Sequence, residues 1–164
     1  MALPSNIAPY VYPYARTGVF ELIGIDERVD QNRYSDEVAV AFPAYLGYEI
    51  TKICLYSTED GTGAVQRPNG QLFILRTDPA IAANASTLGA GAVWPTVVGK
   101  VAIAVADWSA TDTGGAVCEK VLADPLHVDA STLWFVFFNE AATSFNDAAG
   151  DDEQLEADVW YRAG

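Results

Sequence analysis

The chain has 164 residues, 51% apolar and 12% aromatic, and its 9 basic and 22 acidic side chains leave a net charge of −13. That is enough chain for one domain with a sizeable core and too apolar for a disordered one, and no run approaches the ~18 apolar residues of a membrane helix, so a membrane is not an expected partner. The negative field repels phosphate backbones, which removes nucleic acid as an expected partner as well.

The start, Met-Ala-Leu-Pro-Ser-Asn, has neither the basic nor the apolar segment of a secretory signal, so export by that route is not expected. Residues 1–17 place Pro4, Pro9 and Pro13 among Tyr10, Tyr12 and Tyr14, a spacing that blocks a helix and favours an extended arm. Such an arm either lies across its own domain or reaches a neighbouring subunit, and tyrosine is enriched at interfaces. Pro9, Tyr10, Tyr12, Pro13 and Tyr14 are therefore candidate contact residues for a subunit or assembly interface, together with Trp160 near the far end of the chain.

From Gly18 to Gly164 a single β domain is expected. Val19–Ile25 reads as a strand, Asp26–Ser35 as a charged surface loop, and Glu37–Phe42 as a short strand stopped by Pro43. Glu49–Ser57 alternates, with Ile50, Lys52, Cys54 and Tyr56 on one face and Thr51, Ile53 and Leu55 on the other. Thr58–Gly70 is turn-forming and leads through Asn69-Gly70 into a strand at Gln71–Arg76, as a hairpin or a long-loop connection. Asp78–Trp94 is expected to be a long functional loop, with a helical turn over Ala80–Ala85 as the alternative. Lys100–Ala106 reads as a core strand whose small residues, Ala102, Ala104 and Ala106, admit another layer. Asp107–Gly115 reads as a turn and Ala116–Leu122 as a strand broken by Ala123-Asp124-Pro125 before the short piece Leu126–Val128.

Leu133–Phe138 is six bulky β-formers in succession, which predicts a central strand buried on both faces. Glu153–Arg162 alternates Leu155, Ala157, Val159 and Tyr161 against Glu156, Asp158, Trp160 and Arg162, a strand with one face in the core and one toward water or a partner. The two segments look like a closing hairpin. About eight strands with long polar connections and no sustained 3.6 period predict an antiparallel β-sandwich. A jelly-roll is favoured over an immunoglobulin-type fold, whose Cys-Trp-Cys arrangement is missing.

The chemistry of the side chains points away from catalysis. The sequence has no Gly-x-x-x-x-Gly-Lys, His-Glu-x-x-His or Gly-x-Ser-x-Gly motif, and its one histidine, His127, has no partner set at motif spacing. No catalytic residue, cofactor or metal is expected. Cys54 and Cys118 lie in apolar segments and are expected to be buried free thiols, with a disulfide or a reactive thiol as the alternative. Asp147, Asp151, Asp152 and Glu153 supply the oxygen ligands calcium prefers, though without EF-hand spacing, so a solvated acidic loop is the expectation. Asn84-Ala85-Ser86 matches the glycosylation acceptor pattern and is read as chance.

Leu133–Phe138, followed by Ala148-Ala149-Gly150-Asp151-Asp152-Glu153 and Val159-Trp160-Tyr161-Arg162, resembles the closing hairpin of small virion proteins of tailed bacteriophages, in particular capsid decoration (cement) proteins and related head or tail jelly-rolls. The resemblance implies a virion protein that binds the outer surface of a capsid, often as a homotrimer, with the major capsid protein or another virion protein as partner. It carries no functional residue with it. A glycan- or receptor-binding β-sandwich of a phage tail or other assembly is the alternative, and it requires an exposed aromatic platform at Trp94, Trp108 or Trp160.

Overall fold

The computed structural model describes residues 15–42, 47–58, 67–88, 96–111, 115–146 and 152–163. Its strands are β1 (Ala15–Arg16), β2 (Phe20–Ile23), β3 (Arg33–Tyr34), β4 (Val38–Ala41), β5 (Tyr48–Ser57), β6 (Gly70–Leu75), β7 (Val97–Ile103), β8 (Trp108–Ala110), β9 (Ala116–Val128), β10 (Thr132–Asn139) and β11 (Leu155–Ala163). One sheet runs β1–β11–β5–β9–β8 with β2 also on β11, and the other runs β3–β10–β6–β7 with β4 also on β10. All pairings are antiparallel.

β1 and β2 pair with successive parts of β11, and β3 and β4 with successive parts of β10, so each couple is one interrupted strand. Counted that way, and with β8 taken as an extra edge on β9, eight strands lie in the orders 1-8-3-6 and 2-7-4-5. Two interleaved Greek keys of this kind make a jelly-roll.

The core lies between the sheets. Leu133, Phe135 and Phe137 of β10 face Ile50, Ile53 and Leu55 of β5 and Leu155, Ala157 and Val159 of β11 within one buried cluster. The opposite face of β10 is covered too: Val136, Trp134 and Phe138 pack with Tyr34, Phe73 and Leu75 beneath Ile81 and Leu88. The predicted central strand with two apolar faces is therefore what the sheet contains, and residues 78–88 form the cover rather than a helical turn. At Gly70 an added Cβ would sit 2.0 Å from the Phe138 carbonyl oxygen and 2.8 Å from Phe137, so close passage of β6 against β10 requires glycine there.

Several connections differ from the sequence-based expectation. β10 and β11 do not form a hairpin; they belong to opposite sheets, facing one another across the core. β5 and β6 also change sheets, so Asn69-Gly70 ends a long connection instead of making a hairpin turn. Thr51 is an extra residue of β5 against β11, where Trp160 pairs with Lys52 but Tyr161 with Ile50. This bulge turns both Ile50 and Ile53 inward, which strict alternation cannot do. β9 runs through Ala123-Asp124-Pro125 by a register shift against β5, and a bulge accommodates the proline's missing amide hydrogen. The expected turn after Ala106 contains β8, whose Trp108 is buried and donates its indole N–H to the Pro68 carbonyl at 2.7 Å. β7 reaches the core through Val101 and Ile103, but it is an edge strand, and Ala102 and Ala104 face solvent with no further layer among the described residues.

Two asparagines fasten one end of the sandwich. Buried Asn139 donates its side-chain amide to the carbonyls of Val29 (3.2 Å) and Thr143 (3.0 Å) and accepts from the Ala141 N–H (3.0 Å). Asn146, at φ 50°, donates to the carbonyls of Gly24, Glu27 and Glu153 and accepts from the Glu153 N–H, while the Glu153 carboxylate takes the Asn146 N–H at 3.0 Å. Glu153 is thus a buried bracing group. Asp152 is exposed, and Asp147 and Asp151 lie outside the described residues.

The thiols are free and buried on opposite faces of one sheet: Cys118 pairs with Leu55 and belongs to the core cluster, whereas Cys54 pairs with Glu119 and Asp158 on the outer face. Register alone prevents an internal disulfide. Burial pushes the Cys118 thiol up to about 11 and raises Cys54 as well. Both thiols are expected to resist a disulfide reagent at pH 7.5 until denaturant is added and then to titrate as two per chain. Fewer than two, without reductant, would reveal a disulfide.

A candidate interaction face

The two outer surfaces of the sandwich differ. One is covered by residues 78–88; over the other, on the β11 sheet, no described segment packs. The ladder registers arrange that face in transverse rows. Arg16, Trp160, Lys52 and Val121 lie side by side on β1, β11, β5 and β9, and the next row holds Asp158, Cys54 and Glu119. Tyr56 and Glu156 follow, and on the other side come Arg162, Glu49 and His127.

Trp160 stands between two cations. Its cross-strand neighbours come from the flanking strands, with the Arg16 guanidinium 4.8 Å and the Lys52 ammonium 4.2 Å from the ring. The same two cations meet the acidic row. Arg16 Nε donates to Asp158 Oδ2 at 2.6 Å and a second guanidinium nitrogen contacts the same oxygen, while Lys52 lies 3.7 Å from Glu119. Asp158 is fully buried, although alternation puts it on the outer face, because Arg16 and Thr17 close over it. The Asp158 hydrogen bond raises the Arg16 pKa above its already high ordinary value, so the guanidinium stays charged.

Beside this ion-pair grid, Thr51, Lys52, Val121 and Trp160 line an open trough of about 280 Å³. Val121 is 75% exposed, unusual for a valine in mid-strand, and the Trp160 indole N–H is shielded from water without a hydrogen-bond partner among the described residues. An unpaired shielded donor costs on the order of 1–3 kcal/mol, and an acceptor placed beside it recovers that.

Of the sequence-based candidates, Trp160 is on this face, whereas Pro9, Tyr10, Tyr12, Pro13 and Tyr14 lie outside the described residues. Trp94 lies outside them too, and Trp108 is buried, so it is no platform. Trp160 has a cation on either side, which leaves it poorly placed for stacking on a sugar ring. Arg16, Lys52, Thr51 and Val121 escaped the sequence reading because they come from three strands and share no motif; alternation around Trp160 was the one signal available. His127 is exposed, and no cluster of metal-binding side chains occurs among the described residues. None of the described helices is long and apolar enough to cross a membrane.

No protein-family model and no curated protein matches the sequence. Solved structures similar to it include a chain of tomato aspermy virus, 8% identical over 93% of this chain and 78% of that one with a TM-score of 0.34. A chain of the Kashmir bee virus empty particle at acidic pH is 10% identical over 96% and 93%, with a TM-score of 0.38. A chain of a marine algae virus of the order Picornavirales is 13% identical over 93% and 69%, with a TM-score of 0.31. At those scores the likeness carries no weight of its own, and the jelly-roll assignment rests on the strand order.

Proposed function

We propose that the chain is a structural virion protein, a jelly-roll subunit that binds the outer surface of a capsid and stabilises it as a decoration protein. Of the expected arm, residues 1–17, Ala15 and Arg16 belong to the body's sheet as β1, so residues 1–14 serve as an extended arm and the rest as the body, and subunits associate as a homotrimer on the major capsid protein or another virion protein. The observation that supports this reading best is the contrast between the two outer surfaces. One sheet has its own cover, and over the other, with its aromatic centre and a 75%-exposed valine, no described segment packs. A glycan-binding module needs an open aromatic platform, and the cation-bracketed Trp160 is a poor one.

The test is co-sedimentation of the purified protein with capsids from roughly 0.05 to 1 M salt. Binding through apolar and aromatic contacts is expected to hold or rise, since salt screens repulsion between bodies of charge −13. Absence of binding at any salt would refute the reading. A steep loss with salt would move the contact to basic groups such as Arg28, Arg33 or Arg67 and end the apolar-contact account.

A further inference from the structure

We infer that the Trp160 trough is the seat for residues 1–14 of a second copy of the chain, so that subunits join arm into face. This rests on the arm being an intersubunit element, as the proposed function has it, and adds the surface that receives it.

The occupant is chosen by charge, by chemistry and by where the chain leaves the fold. Residues 1–14 contain no Asp, Glu, Lys or Arg, so the arm carries none of the acidic side chains that set two bodies of charge −13 against each other. Proline-rich extended segments present carbonyl oxygens and few amide hydrogens, and they dock into grooves lined by aromatics, where an indole N–H donates to a carbonyl. The trough has such an indole, with its N–H unpartnered among the described residues, and Val121 as an apolar wall. Lys52 and Arg16 stay beside the ring and offer incoming tyrosine rings cation–π partners.

The exit direction selects a second copy over the chain's own arm. β1 is the edge strand, with Arg16 opposite Trp160 and Ala15 opposite Tyr161, so the chain traced backward from Arg16 moves along the edge away from the Trp160 row. An arm entering its own trough has to turn back over β11, close to Pro13, which restrains its predecessor to extended backbone, whereas a neighbour's arm needs no such turn. Fourteen extended residues span up to ~45 Å, ample for a neighbour.

The experiment uses ¹⁵N-labelled protein lacking residues 1–14, its fold checked by circular dichroism, titrated with a synthetic peptide of residues 1–14. The Trp160 indole signal, assigned with Trp160→Phe, is expected to move and saturate, and Val121→Glu in the body is expected to weaken binding about tenfold or more by burying a charge. Val121 is exposed, so that variant keeps its fold. An unmoved indole signal, or peptide binding indifferent to Val121→Glu, overturns the assignment. In the full chain the bound signal is expected to grow with protein concentration; a bound signal unchanged on dilution to monomer means the arm occupies its own trough and overturns the second-copy assignment. Capsid co-sedimentation of the Val121→Glu protein separates the two proposals, since retained binding with a failed trough leaves the virion reading standing.

Discussion

Phe135→Ala is expected to destabilise the protein by about 3–5 kcal/mol, a large part of what a single domain has to lose. Phe135 has no exposed surface, and it meets Phe20 at 5.1 Å and Phe42 at 6.5 Å between ring centroids, so β2 and the residue after β4 converge on one ring of β10. β10 is the central strand of its sheet and cannot shift to refill the space without disturbing β4 and β6 on either side. Val136→Ala is a useful companion. Val136 is equally buried but points into the smaller cluster beneath residues 78–88, so a loss of about 1–3 kcal/mol is expected there. Urea midpoints check both; Phe135→Ala within about 1 kcal/mol of the parent would contradict the account of the main core, and an unchanged Val136→Ala would show that the cover is not closed.

Asn146→Ala is expected to cost about as much, by a different route. The side chain reaches three carbonyls and one amide hydrogen belonging to the ends of β2 and β11 and the loops between, and no other described side chain makes those bonds. Each lost bond removes roughly 0.5–1.5 kcal/mol, more where the partner stays buried. Alanine also pays about 1–2 kcal/mol for left-handed backbone at φ 50°. Asn146→Gly separates the parts, since glycine accepts that φ and lacks the side chain, and it is expected to lie about 1 kcal/mol above the alanine variant in stability. Thermal or urea unfolding that placed both within about 0.5 kcal/mol of the parent would mean water replaces the whole network.

The strands were legible wherever apolar residues come in runs or alternate, as in Leu133–Phe138 and Glu153–Arg162, because burial is set by the side chains themselves. Which strand pairs with which was not. Alternation tells that Leu155 and Phe135 point into a core, and says nothing of whether they share a sheet, so a hairpin was read where the chain crosses between sheets. The Thr51 bulge shifts Ile50 to the core side by one extra residue that no residue type announces. β8 is three residues long in a stretch of Asp, Thr and Gly, below the length at which a period shows. The candidate face was legible only at Trp160, since its row gathers residues from both ends and the middle of the given sequence.

The place of β11 has a kinetic meaning. β11, which follows every other described strand in the chain, is inserted between β1 and β5, so the sheet that presents Trp160 lacks its middle until residue 163 has been made. Among the described strands β1 and β2 pair only with β11, and the contacts that close the sheet span most of the given sequence, the arrangement that makes folding slow and withholds it until β11 is made. The Trp160 face therefore comes into existence in one step, once β11 has been made, and a product cut off before β11 has no such surface.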